Sequence, residues 1–422
     1  MLNKLKPKSE FSKNVLTLMT GTTIAQAIPI AISPILTRLY TPEDFGVFAL
    51  FISLVSIFGS IANGRYEFAI MLPKKDEDAI NIFALGFIIN VALSLFLLLM
   101  VIVFHDLFIS LLNNKEISLW LYLVPFSVFL IGCFNLLNYY NNRLKNYKDL
   151  AKANVYKSVV TAVVQLSIGF IKQSTIGLIS GQIISQIFAN TKLLRNIIKD
   201  KILLLKISKV KMIAVANKYK DFPKFNVPHA VMNTLSSNMP VLIINFFFGS
   251  TSTGFFAIAN KVLLLPVGLF TSSFSQIFLQ KITYNRNNRI DQEKFINKVV
   301  FKLLGYSFFP FFIAFIFLPN IFGIIFGKNW IIAGEYAQIL IPMLYLTFTG
   351  SILSNIIIVY NEQKKAFKIE IINTIVKLFS LLFGGILEDL KLGLFLYSLS
   401  GVLITTYRII WYKSIIREKN EI

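Results

Sequence analysis

Residues 80–104 read INIFALGFIINVALSLFLLLMVIVF, twenty-five positions without one charged side chain. As a helix rising 1.5 Å per residue this stretch reaches about 37 Å, more than the roughly 30 Å of hydrocarbon in a bilayer. Its basic forerunners Lys74 and Lys75 stand just before it. Eleven more apolar stretches of spanning length surround it. Before and after it in the first half come Val15–Thr37, Phe45–Leu72, Leu119–Tyr140, Val155–Ile171 and Ile176–Leu194. The second half contributes Val227–Phe248, Phe255–Leu279, Val299–Leu318, Tyr336–Tyr360, Phe367–Leu387 and Leu392–Trp411. The fold class expected is therefore an all-α polytopic membrane protein with twelve transmembrane helices.

Composition agrees with that reading. Of 422 residues, 55% are apolar and only 15% charged, too few charges to solvate a water-soluble surface of this size. One cysteine, Cys133, excludes an intrachain disulfide framework and a cysteine-built zinc site. With only His105 and His229 besides, no metal or other cofactor is expected. Lys4, Lys6, Lys8 and Lys13 precede an apolar run reaching Arg38, too long for a cleaved signal peptide, so the run reads as a retained first span.

The net charge of +21 would suggest nucleic acid in a soluble protein. Here topology explains it, and no nucleic-acid partner is expected. One set of alternate loops, with both termini, holds 32 basic residues; the other holds five, namely Arg38, Lys115, Lys172, Lys328 and Lys391. The rich set includes Arg143, Lys145 and Lys148, the cluster from Lys192 to Lys224, Lys281 with Arg286 and Arg289, and Lys364 with Lys365. Basic residues are retained on the cytoplasmic side, so both termini are expected there and the number of spans is even. The stretch from Arg195 to Phe222 alternates lysines with Ile202, Leu203, Leu205, Ile207, Val210, Ile213 and Val215. It reads as an amphipathic helix on the inner surface, touching anionic headgroups. The expected organisation is an N-lobe over 1–194, this basic linker over 195–222, and a C-lobe over 223–422.

The halves share a pattern. Residues 28–50 read IPIAISPILTRLYTPEDFGVFAL and residues 239–259 read MPVLIINFFFGSTSTGFFAIA. Each has a proline within an apolar helix (Pro29, Pro240), then a short outer loop, then Gly-x-Phe-Ala. Two halves of six spans that both begin inside have the same topology, a parallel repeat that places substrate between them.

Three blocks carry a family resemblance: LTRLYTPEDFGVFAL (36–50), IANGRYEFAIMLP (61–73), and DFPKFNVPHAVMNTLSSNMPVLIINFFFG (221–249) followed by ANKVLLLPVGLFTSSFSQIFLQK (259–281). They resemble the O-antigen and capsular polysaccharide flippases, the polysaccharide transporter branch of the multidrug/oligosaccharidyl-lipid/polysaccharide exporter superfamily. The resemblance implies two six-helix lobes forming a V around a central cavity. It implies a substrate of oligosaccharide repeat units on undecaprenyl pyrophosphate, moved from the cytoplasmic to the periplasmic leaflet of a bacterial inner membrane. A polysaccharide polymerase and a chain-length regulator would be further partners, beside the membrane lipids.

An ionisable group within a span costs about 2.5–3.5 kcal/mol on insertion scales, so each needs a reason. Arg65, Lys261 and Lys377 are the candidate cavity cations for an anionic substrate, Arg65 because a guanidinium forks phosphate oxygens. Glu67 is the candidate ion-coupling group. Two residues from Arg65, it points elsewhere on a continuous helix, so no intrahelical pair is expected. Glu370 is a conceivable partner of Lys377, whereas Lys157 and Arg408 sit where they can snorkel to the inner surface. Arg38, Glu43 and Asp44 are candidates for an outer gate of ion pairs, against the plainer reading of Asp44 and Glu43 as an acidic helix start.

No Gly-x-x-x-x-Gly-Lys loop and no Ser-His-Asp set occurs. An ATP motor and hydrolytic chemistry are therefore not expected, and transport would draw on a substrate or ion gradient. Two other readings stay open: an ion-coupled drug or metabolite exporter of the same superfamily, and a membrane enzyme such as the polymerase of the pathway. The short outer loops weigh against the enzyme, and the basic lean of the intramembrane charges weighs against a carrier of cationic drugs.

Overall fold

The computed structural model describes residues 10–199, 201–287 and 292–420. Lys4, Lys6, Lys8 and Arg289, counted above among the inner-side basic residues, lie outside the described residues. Among the described residues every regular element is a helix and none is a strand. They group into two compact units, Met1–Phe246 and Phe247–Ile422.

Unit 1 opens with α1 (Glu10–Leu39), α2 (Pro42–Gly59) and the 3-10 helix Tyr66–Met71. It continues with α3 (Asp76–Val103), the short α4 (His105–Leu112) and α5 (Ser118–Leu121), and then α6 (Val124–Arg143), α7 (Tyr147–Ile171) and α8 (Thr175–Ile198). Two short helices follow, α9 (Lys201–Leu204) and α10 (Lys209–Lys218). Then comes α11 (Val227–Asn287), broken at Gly249, where φ is 76° and ψ is −179°. Glycine enters that backbone region at little cost, and a side chain there is strained. Unit 2 holds the rest of α11, α12 (Gln292–Ile325), α13 (Ile331–Leu353), α14 (Asn355–Tyr360), α15 (Gln363–Ile386) and α16 (Leu390–Asn420).

Ten helical stretches are long and apolar enough to cross a membrane. One of them, Phe222–Gly268, runs 47 residues, roughly 70 Å, and is two crossings divided at Gly249. The 24-residue α8 supplies the remaining span, so the twelve-helix expectation holds. The expected outer loop between the seventh and eighth spans is reduced to that one-residue break. Thr253 stabilises it by donating its hydroxyl to the Gly249 carbonyl at 2.9 Å.

One boundary is corrected. The second span was expected to run from Phe45 to Leu72, but α2 stops at Gly59 and residues 60–65 turn. Gly64 and Arg65 both take positive φ, 59° and 63°. Apolar composition continues through this segment because its side chains pack inward: Tyr66, Ala69 and Ile70 join Ile80, Leu136, Tyr140 and Leu193 in one buried cluster.

The helices turn the usual hydrophobic pattern inside out. On α3 the buried face is Gly86, Asn90, Ser94, Leu97 and Val101, while Phe87, Leu95, Phe96, Leu99 and Ile102 are exposed. Lipid solvates the large side chains, and small or polar ones allow helices to approach and bond to one another. The clearest case is α6, against which α2, α3 and α8 pack. Its carbonyls accept three asparagine amides: Asn90 to Phe129 at 2.9 Å, Asn190 to Leu130 at 2.9 Å and Asn63 to Gly132 at 3.0 Å. Replacing Asn190 by Leu keeps the branched shape and removes one tie. The unfolding midpoint in detergent should fall by the equivalent of about 1 kcal/mol; an unchanged midpoint would show that the amide does not hold the helix.

At the end of α4, Asn113 and Asn114 clamp α11. Asn113 donates to the Phe246 carbonyl at 2.9 Å and Asn114 to Asn245 at 2.8 Å, while Asn245 donates back to Leu112 at 2.7 Å. This is why α11 up to Phe246 groups with unit 1.

The linker also departs from the single amphipathic helix expected. Ser208 accepts the Lys211 amide and starts α10 afresh. Val215 is buried in the unit 1 cluster, so α10 docks on protein.

Unit 2 is built on α13 against α12 and α16, and α16 against α15. Phe278, Ile282, Ile352, Ile356, Trp411 and Ile416 share its largest core. At the α15–α16 crossing, Gly384 meets Gly393 so closely that a Cβ on Gly384 would lie 2.4 Å from the Gly393 Cα.

Candidate functional site

Within unit 1 the candidates Arg65 and Glu67 lie at the turn after α2. The positive φ of Gly64 and Arg65 reverses the chain, and Tyr66 closes the turn by donating its amide to the Asn63 carbonyl at 3.2 Å. A left-handed arginine costs about 1–2 kcal/mol and persists only where its surroundings hold it. The reversal brings Arg65 Nη1 to 3.5 Å from Glu67 Oε1. The expectation that these two would not pair assumed a continuous helix, and the turn overturns it. The Arg65 guanidinium also lies 5.2 Å above the Phe68 ring. The Glu67 side chain is only 3% exposed, against 21% for Arg65.

Three polar atoms here are buried without a hydrogen-bond partner among the described residues: Arg65 Nε, Glu67 Oε2 and Asn63 Oδ1. A buried polar network with unused capacity is expensive in a low-dielectric setting and marks a place where a further polar group can be received. Asn63, with Asn90 of α3 and Asn190 of α8, which like it donate to α6 carbonyls, was missed by a reading confined to ionisable groups. The signal was present: asparagines in otherwise apolar spans.

Unit 1 carries one more cation inside a span. Lys157 on α7 lies over the Phe134 ring at 5.2 Å, with no ion pair among the described residues.

Unit 2 has its own polar centre on α15 and α16. Glu370 pairs with Arg408 of α16, and its other oxygen accepts the Asn373 amide at 3.1 Å. Arg408 is thus held in an ion pair, its side chain 22% exposed, where snorkelling was expected. Lys377, two turns along from Glu370, lies over the Tyr397 ring at 5.0 Å and makes no ion pair among the described residues. The conceivable Glu370–Lys377 bridge is therefore absent because Arg408 occupies the carboxylate. Lys261, on α11 beyond Gly249, has an exposed side chain and no ion pair or hydrogen bond among the described residues.

The outer group is tied into local structure. Asp44 accepts from the Thr41 amide at 3.0 Å and from the Thr41 hydroxyl at 2.8 Å, and its own amide donates to Thr41 Oγ1. Its second oxygen accepts the Thr175 hydroxyl at 2.8 Å. This is a capping box at the start of α2 extended to the start of α8. Glu43 is exposed in the first turn of α2, and Arg38 donates to the Pro34 carbonyl at 3.0 Å.

Solved structures share this architecture. An inward-facing multidrug-resistance MATE family transporter of the MOP superfamily superposes with a TM-score of 0.71 at 14% identity, covering 94% of each chain. The lipid II flippase MurJ, in an inward closed conformation, gives 0.71 at 14% identity over 94% of this chain and 87% of its own. A MOP superfamily transporter from Pyrococcus furiosus gives 0.56 at 14% identity over 96% of each chain. At such identities the likeness establishes the fold. No curated protein matches significantly in sequence. The family model described as "Polysaccharide biosynthesis protein" matches residues 35–334, and with that match across most of the chain, the protein belongs to this polysaccharide biosynthesis family.

Proposed function

We propose that the protein is a flippase that carries an undecaprenyl-pyrophosphate-linked oligosaccharide repeat unit, of O-antigen or capsule, from the cytoplasmic to the periplasmic leaflet of a bacterial inner membrane. It works by alternating access of two six-helix lobes joined by the basic linker, both termini are cytoplasmic, and it forms no bonds itself. One observation supports this reading above the others. Glu67 and Glu370, the carboxylates within or beside the spans singled out above, are each neutralised by an arginine, while Lys157, Lys261 and Lys377 have no anionic partner among the described residues. The surplus is cationic, which suits a diphosphate and opposes a carrier of cationic drugs. The structural likeness to a lipid II flippase supports a lipid-linked cargo. In this reading Arg65, Lys261 and Lys377 attract the diphosphate, Glu67 is the ion-coupling group, and Arg38, Glu43 and Asp44 stabilise the outer closure.

Deleting the gene from a host with no second flippase should trap lipid-linked repeat units on the cytoplasmic leaflet and abolish surface polysaccharide. Lys261→Ala and Lys377→Ala should each cut export severalfold at unchanged protein level. Normal surface polysaccharide in the deletion strain would refute the cargo, and full export by both lysine variants would remove the lysines from its path.

A further inference from the structure

Beside the start of α3, on the lysine-rich side of unit 1, lies a cavity of about 620 Å³ that the transport reading does not use. Lys74 and Lys75 line it from the loop before α3, and Lys211 and Lys218 from α10. Glu77 and Asp78 complete its charged lining, leaving a surplus of two positive charges. The acids do not cancel the lysines evenly. Lys211 is consumed by its ion pair with Glu77, whereas Lys74, Lys75 and Lys218 make no ion pair among the described residues. Lys218 rests over the Tyr219 ring at 5.4 Å, which orients its ammonium while leaving it available.

The cavity is held in shape by more than that pair. Asn81 accepts the Ser208 amide at 2.9 Å and donates to the Lys206 carbonyl at 3.1 Å, fixing the start of α10 to α3. Tyr66 donates its hydroxyl to the Ala216 carbonyl at 3.2 Å, fixing the end of α10 to the segment that carries Arg65 and Glu67. The four lysines are thus set on two segments whose separation is defined.

What surrounds the cavity identifies the ligand's other end. Met71 and Leu72 beside it are 42% and 57% exposed, and on α10 Val210 and Ile213 are 79% and 54% exposed. The exposed residues Val210, Ile213 and Ala214 follow one face of α10, opposite the buried Val215. Water disfavours such a face, whereas the acyl boundary of a bilayer accepts it. A soluble phosphate would need the lysines alone; a phosphate carried on acyl chains uses both features.

We propose that this cavity binds the phosphate headgroup of an anionic membrane lipid, which bridges Lys74 and Lys75 to Lys218 while its chains lie along Leu72, Val210 and Ile213. The bound lipid fastens α10 to α3 and so braces the Arg65 turn from its water-facing side. The site is separate from the cargo path and stands whatever saccharide is carried.

The test uses the full-length protein in detergent, titrated with phosphatidylglycerol, with phosphatidylcholine and with inorganic pyrophosphate, bound lipid being counted by native mass spectrometry. Phosphatidylglycerol should bind in preference to phosphatidylcholine. Each of Lys74→Ala, Lys75→Ala and Lys218→Ala should weaken it about fivefold. These side chains make no ion pair, so the variants should keep their helix content and unfolding midpoint in phosphatidylcholine. Lys211→Met, which breaks the docking pair, gives a second variant that should weaken the same binding. Equal binding by the parent and the triple lysine variant would overturn the proposal. So would binding of pyrophosphate as tight as that of phosphatidylglycerol, because the site would then belong to a soluble anion.

Discussion

Arg65→Ala should abolish export and also lower stability, by about 3–5 kcal/mol, because it strands a carboxylate that is only 3% exposed. A thermal melt in detergent checks the second effect and surface polysaccharide the first. The size follows from burial. Glu67 Oε1 lies 3.5 Å from Arg65, its Oε2 has no hydrogen-bond partner among the described residues, and truncation of Arg65 removes the guanidinium that compensates its charge. Glu67→Gln should cost less, since a partly exposed guanidinium with a Phe68 ring beneath it retains some compensation. The double variant Arg65→Gln/Glu67→Gln separates structure from transport. Its stability should return most of the way to the parent, as expected for residues that couple directly. If export returns as well, the pair only holds the turn together. If export stays absent in a stable protein, the charges act on the cargo or the coupling ion.

Gly384→Val should prevent unit 2 from assembling. The ideal Cβ at this position would stand 2.4 Å from the Gly393 Cα and 2.9 Å from the Asp389 carbonyl oxygen, both backbone atoms that no side-chain rotation can move. Overpacking of a well-filled core costs about 1–3 kcal/mol, and a backbone clash lies at or beyond the top of that range. The readout is the yield of folded protein in the membrane and its melting in detergent. Gly86→Ala is the comparison. Its Cβ would come within 2.7 Å of Leu136 Cδ2, the end of a flexible side chain that can turn away. Gly86→Ala should therefore fold with a modest loss. Similar behaviour of the two variants would show that the α15–α16 contact is not close in the membrane.

The two experiments address features that were legible to different degrees. The spans could be read from composition because the bilayer imposes one condition, enough apolar residues to cover its thickness, and that condition is local. Arg65 and Glu67 could be marked as costly for the same reason. Their pairing could not be read, because it depends on where α2 stops. The run IANGRYEFAIMLP is apolar enough to prolong a span, and only packing of Tyr66, Ala69 and Ile70 against α3, α6 and α8 makes the 3-10 turn the better arrangement. Arg408 illustrates the converse. Its position near a span end suggested snorkelling, and a carboxylate 38 residues away captured it instead.

The sequence by itself determined the number of spans and the alternation of basic loops, and through its motifs the family. Those properties follow from the chain's separate dealings with lipid and water, one segment at a time. Tertiary structure alone decided which polar groups meet: Arg65 with Glu67, Glu370 with Arg408, three asparagine amides with the carbonyls of α6, and α10 with the start of α3. The physical reason is the solvent. Lipid does not sort one apolar helix face from another, so partners are chosen by close packing and by the need of each buried polar atom for a counterpart. Both requirements are met between segments far apart in the chain, where spacing along the sequence carries no record of them.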